Sequence, residues 1–381
     1  MDDLVKKRKE IEEIDKAMAD LFEKRMEASA AIAAYKKEHG LPVRDASREK
    51  LLLEKNRQYI EDPDHEEYYV SFLKNIVDLS SRYQHRLLSG MKIAYSGVEG
   101  SFAYIAAKTM FRDETLVCMS GFEKAYKSVE NGECDCAVLP LENNYAGEVN
   151  TVMDLAFSGD LFVNKVIELP VRHCLLGLPG SRREDIRSVI SHPQALLQCS
   201  DYISRHGYET HEYGNTALAA MYVKEKGDNT LAAVASRETA ELMGLSILDD
   251  NIQDSSGNTT RFAVFSRAMD RNRASSGRDE DSFILVFTVK NEAGALAQTL
   301  NIIGAHGYNM KSLRSRPMKE LLWSYYFFIE AEGNINTQNG RDMINELSAI
   351  CARLKLVGSY QTYIIGDSGS CSEDTEENDE S

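Results

Sequence analysis

The first 88 residues carry apolar side chains at a helical spacing, with polar side chains between them. One glycine and two prolines interrupt this pattern and divide it into helices that we predict at 3–38, 45–61 and 65–88. In the first helix, positions three and four apart form a heptad seam, the face that a helix buries against partners. We therefore expect an all-α, three-helix domain over residues 1–88.

From residue 91 to residue 268, short apolar strands alternate with helical stretches, which is typical of α/β architecture with largely parallel sheets. A polar stretch without periodicity at 269–281 is typical of a linker. Residues 282–366 follow the order βαββαβ, which predicts a ferredoxin-like domain. The acidic end at 367–381 contains no base, and we expect it to be disordered. The pattern thus predicts a multi-domain protein.

Composition narrows the class of protein. A net charge of −16 argues against a general nucleic-acid binder, because phosphate backbones need a basic face. The apolar runs are too short to span a membrane, and the charged N-terminus does not resemble a secretory signal. Seven cysteines without a CxxC pair fit reduced thiols, so we expect a cytoplasmic protein. Cysteines and histidines do not cluster at metal-ligand spacing, and we expect no metal or cofactor.

Three cations lie in the seam of the first helix, at Arg8, Arg25 and Lys36, and Ser80 and Gln84 interrupt the apolar row of the third helix. A buried charge is costly without a partner. An interhelical salt bridge would explain one such cation, whereas three cations and two polar neighbours fit a buried anionic ligand at least as well. Arg8 and Arg25 are 17 residues apart, about 26 Å along a helix. If both serve one compact ligand, Arg8 must come from a second copy, which implies a dimer.

Together with PVRDASRE at 42–49, these positions resemble the all-helical chorismate mutase family over residues 1–88. The resemblance implies chorismate as a substrate, and a homodimer or higher homo-oligomer with shared sites in which Arg8 reaches into the partner's pocket. The matching positions are Arg8, Arg25, Lys36, Asp45, Arg48, Glu49, Ser80 and Gln84.

The rearrangement of chorismate to prephenate is unimolecular and needs no acid, base or nucleophile. Catalysis must come from holding the compact conformer and stabilising charge as a C–O bond breaks. The resemblance assigns Arg8 and Arg25 to the two carboxylates, and Lys36 and Gln84 to the ether oxygen. Because an amide keeps its hydrogens, we expect little loss of mutase activity toward mildly basic pH. The ring hydroxyl is assigned to Glu49 and Asp45, with Arg48 orienting these acids.

The α/β region has polar clusters where strands are predicted to end. A two-glycine loop at 97–100 is a generic anion nest, but it lacks the spacing of a dinucleotide-binding fingerprint. Each later cluster alone fits turn or capping chemistry. In this order, however, PLENNYAGEVN, SHPQALLQC and GNTTRF resemble the prephenate dehydratase family over residues 91–268. The matching positions are Ser101, Glu142, Asn143, His192, Thr216, Thr260, Arg261 and Phe262.

This second resemblance implies two α/β lobes with a cleft between them, of periplasmic-binding-protein-like type, and prephenate as the substrate. Prephenate loses carbon dioxide and its ring hydroxyl to give phenylpyruvate, with aromatisation as the driving force. The resemblance makes Thr260 the hydrogen-bond donor to the departing hydroxyl, Arg261 a carboxylate clamp and Phe262 a packing residue beneath the site. Asn144 and Ala103 stand where the family usually has hydroxyl residues, which leaves their hydrogen-bonding roles open.

Residues 282–366 resemble the small amino-acid-binding regulatory domain called ACT. The family's dehydratases carry two phenylalanine-contact motifs there, and in the second Arg314 replaces the usual glutamate. That arginine would either repel the ligand's ammonium group or turn to solvent, so we expect L-phenylalanine to bind between paired domains with weakened affinity. A purely structural or dimerising module is the alternative. The two motifs comprise Gly294, Ala295, Leu296, Ala297, Arg314, Ser315, Arg316 and Pro317.

Two classes of function compete. One is a bifunctional enzyme of phenylalanine biosynthesis, and the other is a non-catalytic amino-acid-sensing protein whose helices only dimerise. A dimerisation helix has no use for three seam cations opposite a serine and a glutamine, and no segment is left to serve as an output module. We therefore favour the enzyme.

Overall fold

The computed structural model describes residues 2–145, 147–270, 281–318, 325–365 and 371–373. It divides the chain into two compact units, Met1–Met91 and Lys92–Ser381. The predicted linker at 269–281 and the predicted disordered tail at 367–381 lie largely outside the described ranges. Within those ranges, no helix combines the length and the apolar character needed to cross a membrane.

The first unit contains α1 (Asp2–Glu38), α2 (Ala46–Arg57) and α3 (Pro63–Ser89), which confirms the three predicted helices. The side chain of Asp45 caps α2 by accepting from the backbone N–H of Arg48 at 3.0 Å. The seam of α1 is buried only in its second half, where Ser29 and Ala33 are 3% and 1% exposed. The first half of α1 is exposed in the single chain.

The α/β region begins the second unit, and its elements follow one another in this order. They are β1 (Lys92–Ser96), α4 (Phe102–Met110), β2 (Thr115–Met119), α5 (Phe122–Glu130), β3 (Cys136–Asn143), β4 (Gly147–Glu148), α6 (Asn150–Ser158), β5 (Phe162–Pro170), β6 (Cys174–Gly177), a short 3-10 helix (Arg183–Asp185), β7 (Ser188–Ser191), α7 (Pro193–Gln198), α8 (Ser200–His206), β8 (Glu209–Glu212), α9 (Thr216–Lys226), β9 (Leu231–Ala235), α10 (Arg237–Met243), β10 (Ser246–Asp249) and β11 (Thr259–Ser266).

These elements form two lobes, each built on one sheet. The strand order is β5-β11-β3-β1-β2 in the first lobe and β10-β6-β9-β7-β8 in the second. The chain crosses between the lobes after β5 and again after β10. The expectation of largely parallel sheets is only half right, because β11 and β6, which enter their sheets after a crossing, run antiparallel to their neighbours. Parallel pairing is kept among β1, β2 and β3 and among β7, β8 and β9.

The C-terminal part of the unit has the predicted ferredoxin-like order. Its elements are β12 (Ser282–Thr288), α11 (Ala295–Ala305), β13 (Asn309–Pro317), β14 (Tyr325–Glu332), α12 (Gln338–Ile350) and β15 (Arg353–Ile365), followed by a short β16 (Cys371–Glu373) beside β15. The four main strands lie in the order β13-β14-β12-β15, all antiparallel. We call residues 282–365 the ferredoxin-like unit.

One sheet runs through both the first lobe and the ferredoxin-like unit, which the sequence did not predict. Strand β15 pairs in parallel with β5, for example with Thr362 beside Val166. At the start of this pairing, Gly358 lies so close to Val163 that a Cβ atom would stand 2.0 Å from the Val163 carbonyl oxygen. The close approach of the two backbones therefore depends on glycine.

Candidate active sites

The polar positions of the helical unit meet between α1 and α3. Lys36 Nζ donates to Gln84 Oε1 at 3.2 Å, and Gln84 Nε2 donates to Ser29 Oγ at 3.0 Å. Lys36 also donates to the carbonyl oxygen of Val43 at 2.5 Å. Gln84 is only 8% exposed. An ammonium group and an amide thus lie side by side, as two donors that one ligand oxygen can share.

Arg25 extends this site along the same two helices. Its guanidinium donates to the hydroxyl of Ser80, and at 3.4 Å to the carbonyl oxygen of Ile76. Burial lowers the pKa of Arg25 from its ordinary value, but a guanidinium stays charged in proteins. Among the contacts described for the helical unit, no carboxylate pairs with it, so this charge is available to an anion.

The remaining predicted mutase positions are less complete in the single chain. Asp45 is engaged as the cap of α2, and Glu49 lies 3.8 Å from the guanidinium of Arg44. Arg8 lies on the exposed first half of α1, far along the helix from Arg25. Sequence reasoning missed the contact made by Ser29, although its place in the buried seam was a usable signal.

An open apolar groove of about 960 Å³ lies beside this site, between α1 and α3. Large apolar side chains along it are exposed, among them Leu21 at 65% and Tyr68 at 78%. Phe22, Phe72 and Leu79 continue the same surface. An exposed apolar surface of this kind marks an interaction site.

A second pocket, of about 340 Å³, opens in the second unit between the two lobes. Its lining comes from the ends of strands and the starts of helices in both lobes. The structure brings six of the eight predicted dehydratase residues together here: Ser101, Asn143, His192, Thr216, Thr260 and Phe262. Phe262 is 2% exposed and packs at the base of the pocket. Near the pocket, the buried hydroxyl of Thr239 links the two lobes by donating to the carbonyl oxygen of Gly100 at 2.8 Å.

Thr260 is held by the amide of Asn143 on the neighbouring strand. Asn143 Nδ2 lies 2.9 Å from Thr260 Oγ1 and 2.8 Å from Asn258 Oδ1. Because the amide donates to the threonine oxygen, this bond does not use the hydroxyl hydrogen of Thr260, which a ligand in the cleft could accept. The two residues are also direct partners in the β11–β3 ladder.

The polar groups that line the cleft are uncharged side chains and the N-termini of helices. Ser101 caps α4, Asn215 caps α9 and His192 caps α7, and all three line the pocket. Among the described residues of this lining, none is a lysine or an arginine. An anion in this cleft would therefore be held by backbone N–H groups and the positive ends of α4 and α9.

His173 lines the same cleft and was missed by sequence reasoning. It is 1% exposed, and its Nε2 lies 2.9 Å from Gln198 Oε1, while its Nδ1 has no partner in the described structure. Burial lowers the pKa of His173, so the ring is neutral at ordinary pH. Its sequence context gave no signal, because a lone histidine beside a strand is more often a core residue.

The predictions that Arg261 and Glu142 line the cleft are wrong. In a strand, neighbouring side chains point to opposite faces, and Thr260 and Asn143 occupy the cleft side. Arg261 and Glu142 pair with one another on the other side, with 2.9 Å between Nη1 and Oε1. There Arg261 forms a two-pronged ion pair with Glu330 of the ferredoxin-like unit, at 2.5 and 2.9 Å.

The structure also corrects the expectation for Arg314. It neither turns to solvent nor stands free at the strand end, because it forms an ion pair with Glu142. Arg316 donates to Asp154 at 3.0 Å and also bonds Asn150, both on α6. Two of the predicted effector residues thus join the ferredoxin-like unit to the first lobe.

The other effector positions surround the start of α11 and the end of β13. Gly294 caps α11 with a φ of +84°, a left-handed conformation that favours glycine. Ala295, Leu296 and Ala297 form the first turn of α11, and Ser315 and Pro317 lie on β13. Within the described residues β13 pairs only with β14, so its outer edge is open.

The two departures from the dehydratase pattern have different outcomes. Asn144 accepts from the backbone N–H of Thr259 at 2.9 Å and donates to the carbonyl of Gly257, so it secures the strand that carries Thr260. Ala103 lines the cleft and offers no hydrogen bond from its side chain.

Comparison with known families agrees with this division of the chain. The family model for chorismate mutase type II matches residues 7–85, and the model for prephenate dehydratase matches residues 93–270. A bifunctional chorismate mutase/prephenate dehydratase of Buchnera aphidicola is 30% identical over 373 residues, covering 94% of this chain and 96% of its own length. The bifunctional enzyme of Aquifex aeolicus is 30% identical over 367 residues, with coverages of 94% and 98%.

Among solved structures, the prephenate dehydratase of Arthrobacter aurescens in complex with L-Phe has the same fold over 74% of this chain and 93% of its own. Its TM-score is 0.65, at 24% identity.

The fold and the comparisons define an enzyme with two activities, one matched by the helical unit and one by the two-lobed α/β region. The chain belongs to the family of bifunctional chorismate mutase/prephenate dehydratases. It rearranges chorismate to prephenate and converts prephenate to phenylpyruvate, and the non-catalytic alternative is not supported.

Proposed function

We propose that chorismate rearranges between α1 and α3, where Arg25, Lys36 and Gln84 meet, and that prephenate reacts in the cleft beneath Thr260. The observation that carries the second assignment is the bond from Asn143 to Thr260 Oγ1, which leaves the threonine hydrogen for a ligand. The buried network around Gln84 supports the first.

In the helical site, Arg25 holds one carboxylate of chorismate, and Lys36 and Gln84 donate to the ether oxygen. Hydrogen bonds of a charged donor are worth roughly 1.5–3 kcal/mol each. Because negative charge grows on the ether oxygen as its C–O bond breaks, donors placed there stabilise the transition state more than the ground state. Glu49 and Asp45 serve the ring hydroxyl, with Arg48 beside them.

The enzyme is a homodimer in which the first half of α1 lies in the groove of a second copy. The exposed apolar side chains on α1 and along the groove support this arrangement. It would also bring Arg8 of one chain to the site that contains Arg25 of the other, where the second carboxylate of chorismate needs a cation.

In the cleft, the carboxyl carbon leaves as carbon dioxide, and its bonding electrons enter the ring as the C–O bond to the ring hydroxyl breaks. Thr260 donates to the departing oxygen, and one proton from solvent completes the water. The absence of lysine and arginine from the described lining suits this step, since a cation clamped on the departing carboxylate would oppose its conversion to neutral carbon dioxide. The helix starts at Ser101 and Thr216 hold the side-chain carboxylate instead.

Two variants test the assignment of the reactions. Arg25→Ala should lower mutase turnover by about 100-fold or more and leave dehydration of supplied prephenate near its normal rate. Thr260→Ala should lower dehydration by about 100- to 1,000-fold, so that chorismate runs to prephenate and stops. Each variant is the other's control, because the two residues lie in separate compact units. Loss of both activities in either variant would contradict separate sites.

We further propose that the ferredoxin-like unit is an ACT domain that binds L-phenylalanine and inhibits dehydration. The left-handed Gly294 at the start of α11 and the open edge of β13 support a site between two copies. The Arthrobacter aurescens dehydratase, which has this fold, was solved with L-Phe.

Titration of L-phenylalanine against prephenate dehydration tests this regulation. Inhibition is expected, and Gly294→Val should weaken it about tenfold or more because a branched residue is strained at this φ. Gly304→Ala, in the same helix with open space around it, is the matched control. If millimolar phenylalanine changes neither the rate nor the melting temperature of the wild type, the unit is not a phenylalanine sensor.

A further inference from the structure

A cluster of charged side chains links the ferredoxin-like unit to the two strands that carry Thr260 and Asn143. We call Glu142, Arg261, Glu330 and Tyr360 the interface cluster. Glu330 is its centre: it accepts from both terminal nitrogens of Arg261 at 2.5 and 2.9 Å, and from the Tyr360 hydroxyl at 2.5 Å. Arg261 in turn donates to Glu142 at 2.9 Å.

The cluster is shielded from solvent. The side chain of Glu330 is 3% exposed and that of Arg261 is 17% exposed. Burial would raise the pKa of Glu330, but the hydrogen bonds and charge of Arg261 outweigh it, and the pKa is lowered. Glu330 is therefore a buried carboxylate whose charge is held by Arg261. Two further carboxylates pair with Arg261, Glu142 at 2.9 Å and Glu168 at 3.4 Å, but both are more exposed than Glu330. Loss of the Glu330 charge therefore removes the most buried partner of this guanidinium and frees it to shift toward the other two.

Strand geometry connects this cluster to the cleft. In the β11–β3 ladder, Thr260 is opposite Asn143 and Arg261 is opposite Glu142. The two pairs are consecutive, and their side chains point to opposite faces of the sheet. A shift of the Arg261–Glu142 pair therefore displaces the Thr260–Asn143 pair, whose 2.9 Å bond holds the threonine oxygen.

We infer that Glu330 is a positioning residue for dehydration: through Arg261 and Glu142 it fixes the Thr260–Asn143 pair on the cleft side. This inference rests on the proposed role of Thr260. It assigns the ferredoxin-like unit a part in the basal reaction, because the unit supplies the carboxylate that orients the two strands. Effector binding is not needed for this effect.

The test compares Glu330→Gln with Glu332→Gln in the full-length enzyme. Glu330→Gln keeps the shape of the side chain but removes the most buried of the three carboxylates that pair with Arg261. We expect kcat for prephenate to fall by roughly 10- to 100-fold, because small misplacements of a donor have effects of this size. KM should stay within about twofold, since the helix starts that bind the substrate are not touched. Glu332 lies on the same strand, is bonded to Asn309 and Lys311, and should show no change.

Thermal unfolding of the same samples reports whether the second compact unit is folded, and mutase turnover reports on the helical unit. Should Glu330→Gln fail to fold, Tyr360→Phe removes one hydrogen bond to Glu330 without removing a charge, and should lower kcat several-fold at unchanged KM. Wild-type kcat in a folded Glu330→Gln variant, or in Tyr360→Phe if only that variant folds, would overturn the inference. A rise in KM with unchanged kcat would also overturn it, because that result indicates a binding role.

Different experimental outcomes would refute the positioning role of Glu330 and the proposed role of Thr260. Normal dehydration by Thr260→Ala would refute the role of Thr260, whatever Glu330→Gln does. A loss in Thr260→Ala without a loss in Glu330→Gln would keep the proposed function and refute only the positioning role.

Discussion

In the proposed mutase site, Gln84 sets the expected response to pH. Its side chain is buried and lies between Lys36 and Ser29, so it supplies a donor that has no ionisable group. A glutamic acid in its place would donate only when protonated, and Lys36 would favour its ionised form. The wild-type mutase should therefore have a flat rate from neutral to mildly basic pH.

Gln84→Glu should make the mutase active only in acid. We expect its rate to fall about tenfold for each pH unit above the pKa of the new carboxyl group, measured as chorismate consumption from pH 4.5 to pH 8.5. Dehydration by the same protein serves as the control and should keep the wild-type profile. A variant profile as flat as that of the wild type would show that Gln84 does not donate to the substrate.

At the residue scale, the long motifs predicted the pair of residues in the cleft but misplaced its neighbour. The order of PLENN and TTRF located Thr260 and Asn143 in one cleft, and the structure places both there. The same strings placed Arg261 in the cleft, although the two-residue period of a strand could have excluded the immediate neighbour of Thr260. Glu330 could not be predicted as the partner of Arg261, because it lies 69 residues further along the chain, in the ferredoxin-like unit.

Among the elements, the junction of β15 with β5 is the most sensitive to added volume. Gly358→Ala would push a methyl group into the Val163 backbone, and overpacking of this kind costs about 1–3 kcal/mol. We expect a lower free energy of unfolding of the second unit and reduced dehydration, with normal mutase turnover. Chemical denaturation followed by fluorescence would measure the free energy of unfolding.

Gly304→Ala provides the comparison for Gly358→Ala. It lies inside α11 with nothing within 4 Å of the new methyl group, so it should stabilise by about 0.5–1 kcal/mol. Equal effects of the two substitutions would contradict a tight β15–β5 junction.

Element types were predictable where local signals are strong. Glycine and proline divided the helical region, and the βαββαβ order predicted a four-strand arrangement that the structure confirms. The continuous sheet was not predictable, because the pairing of β15 with β5 joins segments nearly 200 residues apart and leaves no local pattern. The predicted parallel direction was wrong for β6 and β11 for a related reason, since strand direction there depends on the path of the chain between the lobes.

For the whole molecule, the proposed dimer makes a quantitative prediction for mixed subunits. Arg8→Ala and Arg25→Ala homodimers should each lack mutase activity. In a mixed dimer, one site combines the intact Arg25 of one chain with the intact Arg8 of the other. Random pairing of equal amounts should therefore restore about one quarter of wild-type mutase activity.

Coexpression of the two variants, with mutase turnover measured per chain, carries out this experiment. Purification through a tag carried by only one of the two variants reports how much of the other variant is present in mixed dimers. No recovery despite mixed dimers would show that both arginines act within one chain.

The pairing of β15 with β5 also bears on synthesis of the chain. The helical unit is complete once its first 91 residues have been made, and it can fold at that point. The first lobe is completed later, because β15, one of the two neighbours of β5, and Glu330, one of the carboxylates that pair with Arg261, are translated near the end. On a nascent chain, one edge of β5 therefore stays unpaired until β15 leaves the ribosome, so the helical unit can fold before the first lobe is complete.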